Sequence, residues 1–316
     1  MSSPAVPGVR PWLVIEASAQ GRLRFALVEP SLRPRIASVH ELSIEGIPTF
    51  TDALQQFERN RKVSVGGLNC ALAIAGAASG ETISLVRSRW TISRTGLHAF
   101  FGTPPFILND VAARAWATRS GSANIATLRG IGAPAFDHAG RYGMIMIEEG
   151  VGAAIVDLDR DAGVRVLETE AGHMDFQPVT AAEERLAKAV RGPCATTTWE
   201  MILMLERFDA RWATACPELA ERERQAFQSA LLGRFAVNLI HAFGAWDGIM
   251  FTGTRAARML EGANRSSFDA AFTTRRNFGR LIMAAHAWRV DQHEAVLAGA
   301  AERLAHEFRP ALSAAA

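Results

Sequence analysis

Cysteine is scarce in this chain: Cys70, Cys194 and Cys216 are the only three in 316 residues, an odd number with neither metal-ligand nor redox spacing. A disulfide scaffold and a cysteine-built zinc site are thereby excluded. No secretory leader pattern follows Met1, so a reduced cytoplasmic setting is expected. Long hydrophobic runs are missing too. The most apolar stretch, Leu68 to Ala78, is interrupted by Asn69 and Gly76 and falls short of the roughly 20 residues that cross a bilayer, so no membrane segment is expected. Nor is there a block of one charge: 34 basic and 32 acidic residues are dispersed to a net +2, without the basic stripe that binds a phosphate backbone. Nucleic acid is not an expected partner. No helix-turn-helix segment or basic arm precedes Trp12, which argues against a DNA-binding regulator.

What the chain does have is apolar residue, 49% of the total, enough over this length for one large or two medium cores. Trp12 to Ile15 and Leu23 to Val28 read as two strands around an Ala-Ser-Ala-Gln-Gly turn, with the fold starting near Pro11. A helix is expected over Phe50 to Arg61, then strands at Cys70 to Ala75, Thr82 to Val86 and Phe106 to Leu108. Tyr142 to Ile147 and Ala153 to Leu158 form a second strand-turn-strand across Glu-Glu-Gly-Val-Gly. Helices follow at Ala181 to Val190, Thr197 to Ala213, Glu218 to Gly244 and Gln292 to Phe308, with one strand at Gly248 to Phe251. Repeated use of the strand-turn-strand device, with helices after it, suits two α/β lobes. Their expected bounds are 11–110 for the smaller and 111–316 for the larger, with the option that the C-terminal helix packs back on the smaller lobe.

Two motifs carry chemistry. Asn109-Asp110 stands between an apolar strand and the Ala-rich run Val111 to Trp116, and both residue types are strong helix caps. The bland reading is an ordinary cap. Glu170-Ala171-Gly172-His173-Met174-Asp175-Phe176 gathers carboxylates and an imidazole, which together both donate to and accept from hydroxyl groups. His173 and Asp175 alone are too few for a metal site. Cys70, in an apolar strand, reads as a buried structural thiol. Arg275, Arg276 and Arg280 around Phe278 read as a solvated helical face.

In order and spacing, Cys70 to Ala75 with Gly80-Glu81, Trp90, Leu108-Asn109-Asp110 and Glu170-x-Gly-His-x-Asp-Phe-x-Pro178 resemble the bacterial glucokinase family. The resemblance spans about Trp12 to Leu304. It implies the two-lobed actin-like ATPase (ribonuclease H-like) α/β fold with a cleft between the lobes. It also implies ATP-dependent phosphorylation of glucose or a similar hexose, a step of carbohydrate metabolism akin to entry into glycolysis. On this resemblance Asp110 is the general base, Asn109, Asp110, Glu170 and His173 bind sugar hydroxyls, and ATP with Mg2+ is the donor. A sugar hydroxyl is a poor nucleophile, so a carboxylate that accepts its proton during in-line transfer is the chemistry required.

The nucleotide side departs from the family pattern. The family's first phosphate loop has Asp before a Gly-Gly-Thr-Asn turn; here the ungapped position is Ala17, whereas a turn longer by one residue brings Glu16 there as a metal-handling carboxylate. The second loop, Gly-Thr-Gly in the family, is Glu148-Glu149-Gly150-Val151-Gly152, leaving Gly150 and Gly152 as phosphate contacts. Its two glutamates either oppose a polyphosphate or form a solvated hairpin tip. The adenosine-side Gly-Gly is Gly253-Thr254, so Gly253 is the remaining nucleotide candidate, and a family Glu before Ser-Gly-Pro-Gly is replaced in the region of Ala195 to Trp199. The alternative function is therefore a sugar-binding or regulatory pseudokinase that no longer uses ATP. Leu231 to Phe243 is apolar enough for a homodimer or for a plain core.

Overall fold

The computed structural model describes residues 10–85, 88–160, 163–191, 193–205, 209–274 and 278–315. Val86 of the strand expected over Thr82 to Val86, and Arg275 and Arg276, lie outside the described residues. The chain forms two compact units, residues 1–123 with 292–316 and residues 124–291.

The first unit opens with β1 (Trp12–Ala17), β2 (Arg22–Val28) and β3 (His40–Ser43), an antiparallel meander. After α1 (Phe50–Arg61) come β4 (Cys70–Ile74), the small ribbon of β5 (Thr82–Ser84) and β6 (Thr91–Ser93), α2 (Arg94–Phe101), β7 (Phe106–Asn109) and α3 (Asp110–Ala117). The sheet order is β3-β2-β1-β4-β7, with β4 parallel to β1 and β7 parallel to β4. Side chains of β1 alternate between two covered faces. Leu13, Ile15 and Ala17 pack with Phe50, Leu54 and Phe57 of α1, while Trp12 and Val14 point the other way. Each fully buried Leu, Ile or Phe contributes about 1.5–3 kcal/mol of transfer free energy, which is why a strand buried on both faces carries no polar residue before Glu16.

The second unit repeats this plan with another strand added. It comprises β8 (Asn124–Arg129), β9 (Gly140–Ile147), β10 (Val151–Asp159), β11 (Gly163–Thr169), α4 (Ala181–Arg191), α5 (Trp199–Leu203), α6 (Asp209–Ala215), α7 (Glu221–Phe243), β12 (Gly248–Thr252), α8 (Thr254–Met259), α9 (Asn264–Thr273), α10 (Gly279–Ala284) and β13 (His286–Asp291). The order is β11-β10-β9-β12-β13-β8: again a three-stranded meander followed by two parallel strands, with β8 antiparallel at the far edge. The duplication absent from the sequence is present in the topology. Leu231, Leu232, Phe235, Ala236, Val237, Leu239 and Ile240 of α7 are all buried in this unit's own core.

Two expectations are corrected. The helix expected over Thr197 to Ala213 begins only at Trp199 and its described first part ends at Leu203. Thr197 and Thr198 are held extended, the Thr197 carbonyl accepting from the Phe176 N–H at 2.7 Å and Thr198 bridging Asp175. The second strand of the hairpin begins at Val151, earlier than expected, so the turn is Glu148 to Gly150 and Gly152 is a strand residue opposite Met146.

The C-terminal segment completes the first unit with α11 (Ala295–Glu307) and α12 (Arg309–Ala315). Leu297, Ala300, Ala301 and Leu304 cover Trp12, Val14, Ala26 and Ala71 on the sheet face opposite α1. Gly299 lets α11 close on α3: a Cβ there would lie 1.6 Å from the Ala113 carbonyl oxygen.

Candidate active site

The strand-to-helix corner at Asn109-Asp110 is built by the Asn109 side chain. Its backbone is extended, and its Oδ1 accepts from the Val111 N–H at 2.8 Å and the Ala112 N–H at 3.4 Å, capping α3. Its Nδ2 donates to the Gly76 carbonyl at 2.9 Å, tying the corner to the end of β4. Asp110 is thereby fixed as the first residue of α3. Burial pushes its carboxyl up to about 6, against the opposing pull of Arg114 and of the Val111 N–H, and the nearby Glu16 charge adds to the rise.

Glu16 lies in the same unit, on the sheet face of Trp12 and Val14, because strand alternation puts Ala17 on the opposite face. It is buried and pairs with Arg24 at 2.7 Å, directly opposite in the β1–β2 register. Arg24 also holds Glu294, the residue before α11. Burial raises the Glu16 carboxyl, and the Arg24 charge offsets this only in part.

The second motif lies wholly in the second unit. Glu170 precedes a 3-10 turn over Ala171–His173, closed by the His173 N–H donating to the Glu170 carbonyl at 2.9 Å. Their side chains are exposed and face each other, Nε2 to Oε2, at 3.8 Å. Gly172 between them is packed against the β9–β10 hairpin: a Cβ there would stand 2.1 Å from the Val151 carbonyl oxygen. Behind the motif, Phe176 meets Trp199 edge to face at 4.9 Å, and the Arg234 guanidinium covers both rings while pairing with Glu183 at 2.6 Å.

Within the second unit the hairpin turn is crowded with carboxylate. Glu148 accepts from the backbone N–H of Thr254 at 2.7 Å and from its hydroxyl at 2.9 Å, joining the turn to the start of α8. Gly253 takes φ +100° there, and a Cβ on it would lie 2.4 Å from the Ile147 carbonyl oxygen. Glu200, the second residue of α5, accepts from the Val151 N–H at 2.9 Å, and its Oε2 occupies the space where a Gly150 Cβ would sit, 2.8 Å away. The solvated-tip reading of Glu148 is thus replaced by an engaged one. Glu200 was invisible to sequence reasoning: its partner is 49 positions away, and only the displaced Ser-Gly-Pro-Gly turn marked the region.

The glucokinase family model matches residues 21–204 and 211–307. The chain belongs to the glucokinase family. A glucokinase of Stenotrophomonas maltophilia (strain R551-3) is 26% identical over 322 residues, covering 93% of this chain and 95% of that one. Among solved structures, the glucokinase from an Antarctic psychrotroph superimposes with a TM-score of 0.73 at 20% identity, covering 94% of this chain and 99% of that one. The glucokinase from Balamuthia mandrillaris in complex with glucose gives 0.71 at 17%, covering 96% of each. The fold is the two-lobed actin-like α/β fold of the glucokinases.

Glucokinases imply ATP and magnesium, and the residues of this family member do not fit either well. Glu16, the expected metal-handling carboxylate, is already in an ion pair with Arg24. The Thr254 N–H donates to Glu148 and the Val151 N–H to Glu200, so both are engaged with the chain's own carboxylates. At ~4 Å each added carboxylate–phosphate contact costs on the order of 1 kcal/mol in water and ~4 kcal/mol at a partly shielded site. Asn109, Asp110 and Glu16 stand in the first unit, Glu170, His173, Gly150, Gly152 and Gly253 in the second.

Proposed function

We propose that this glucokinase-family chain binds glucose or a similar hexose and that Asp110 is the general base for phosphorylation of one sugar hydroxyl. The observation that carries this reading is the state of Asp110: fixed at the first turn of α3 by the Asn109 cap, with its carboxyl pushed up to about 6. A base of that strength is ionised at neutral pH yet able to hold a proton, which is the condition for efficient proton transfer. Asp110 accepts the hydroxyl proton as the oxygen attacks. Asn109, Glu170 and His173 hold the other hydroxyls, an amide, a carboxylate and an imidazole reading both donors and acceptors. The Asn109 contribution is mainly through the helix cap and the tie to Gly76, which set where Asp110 stands.

A second reading, sugar binding without turnover, is supported by the engagement of Glu148 with Thr254 and of Glu200 with Val151. Sugar would then shift the protein toward a liganded state that a partner reads. The experiment that separates the readings is a sugar-phosphate product assay with glucose and a hexose panel, against nucleotide triphosphates and polyphosphate with magnesium, beside calorimetric sugar binding. Product from wild type and none from Asp110→Asn supports catalysis. Sugar binding with no product from any donor selects the second reading, and no sugar binding at all rejects both.

A further inference from the structure

We propose that Arg94 and Glu81 are positioning residues: they clamp the β4–β5 loop so that the Gly76 carbonyl meets Asn109, and thereby set where Asp110 stands and how tightly sugar is held. The effect on sugar rests on the hexose reading; the clamp itself lies within the first unit and is legible without ligand.

The loop Gly76-Ala77-Ala78-Ser79-Gly80 has little of its own to fix it. Gly76 and Gly80 take φ +131° and +86°, conformations open to glycine, and of the side chains between them only that of Ala78 is buried. Its shape comes from hydrogen bonds at both ends. At one end the Ala75 N–H donates to the Ala17 carbonyl at 3.1 Å, continuing the β1–β4 pairing. At the other, the Arg94 fork takes two loop carbonyls, Nε donating to Gly80 at 2.7 Å and Nη2 to Ala78, while its backbone N–H donates to the Glu81 carbonyl at 3.0 Å. Glu81 answers from the loop side: one carboxylate oxygen accepts from the Ser93 hydroxyl and from the Thr95 N–H, both at 2.9 Å. These donors, the Thr95 N–H first, hold the Glu81 carboxyl below the usual carboxylate range, so it stays charged at neutral pH. Ser93 in turn caps α2, accepting from the Gly96 N–H at 3.0 Å, so the loop is fastened to a formed helix.

The fastened loop offers the Gly76 carbonyl to Asn109 Nδ2 at 2.9 Å, and the other end of that amide caps α3. An amide held at both ends cannot rotate. Released at Gly76, it is free to turn away from the Val111 and Ala112 N–H groups. Those two groups belong to the first turn of α3 and have no acceptor within the helix, so their exchange with solvent reports the Asn109 side chain.

The test is amide hydrogen exchange on the full chain by NMR for wild type, Arg94→Ala, Arg94→Lys, Asn109→Ala and Arg94→Ala/Asn109→Ala, with glucose affinity by titration calorimetry on the same samples. Arg94→Ala is expected to speed exchange at Val111 and Ala112 about fivefold and to weaken glucose binding by a similar factor, with Arg94→Lys, which still reaches one carbonyl, in between. In the Asn109→Ala background the Arg94 substitution should add nothing at those two amides, because the route runs through the side chain already removed. Faster exchange confined to α2 and the β5–β6 ribbon, with Val111 and Ala112 unchanged, would make the pair an anchor for α2 alone and overturn the proposal, and so would an equal effect with and without Asn109. If Arg94→Ala does not fold, Arg94→Lys carries the same comparison. A wild type that binds no glucose rejects the hexose reading and the sugar half of the proposal with it, while the exchange rates decide the clamp independently.

Discussion

Gly172 lies so close to Val151 that the Glu170–Phe176 segment and the β9–β10 hairpin form one packed piece: a β-carbon on the glycine would be 2.1 Å from the Val151 carbonyl oxygen. Backbone cannot yield as a flexible side chain does. Gly172→Ala is expected to destabilise the protein by about 1–3 kcal/mol in urea unfolding, and to weaken sugar binding because Glu170 and His173 flank the displaced residue. A wild-type unfolding midpoint would show that this packing is not what holds the motif.

Asp110→Asn should abolish transfer while leaving sugar affinity within a few-fold, since the amide keeps shape and accepting capacity but takes no proton. In wild type, kcat/KM should fall as pH drops below about 6, where the base becomes protonated. Retained turnover in the variant, or an acid limb far from 6, would remove Asp110 from the role.

Stability should report the same carboxyl with a definite sign. Because its value is about 6 in the folded state and 3.8 ordinarily, the folded protein holds the proton more tightly, and stability declines as pH rises from about 4 to 6. Asp110→Asn removes that loss, so the variant is expected to be the more stable by about 1–3 kcal/mol at pH 8 and equal to wild type near pH 4. Parallel pH profiles of the two melting temperatures would count against the assignment.

Glu302 of α11 offers an independent case in the first unit. It is buried, its Oε1 has no hydrogen-bond partner, and burial raises its carboxyl to about 7 despite Arg119, Arg309 and Arg33. The folded form again favours the proton, so this contribution to stability is lost as pH rises from about 4.5 through 7. Glu302→Gln should flatten that part of the stability profile and raise the melting temperature at pH 8, read by calorimetry. A lower melting temperature at pH 8 would mean that the arginine pairing outweighs the burial.

Much of the fold was legible where the local pattern is strong. The α1 bounds follow from apolar periodicity, with Thr49 capping one end and Lys62 in the left-handed region closing the other. The Asn109 corner follows from cap chemistry. Strands β3, β8 and β11 were not expected because they are edges with half-exposed, polar-rich faces, and β13, His286–Asp291, mixes His, Trp and Arg in a run short enough to pass as loop. The position of Glu16 was open because a one-residue shift reverses the face of a strand, and only pairing with Arg24 across the hairpin settles it. Glu200 was missed because its importance lies in a contact between distant segments, for which propensity carries no signal.

The division of the first unit into residues 1–123 and 292–316 has a consequence for synthesis. When the ribosome has made the N-terminal sheet, Trp12, Val14, Ala26 and Ala71 lack their cover, because α11 emerges only after residues 124–291 have been made. Residues 124–291 can mature meanwhile as a continuous piece. The nascent chain is therefore expected to present an uncovered apolar sheet until α11 emerges, and this face is where chaperones would engage it and where a slow ribosome or the loss of α11 would lead to aggregation.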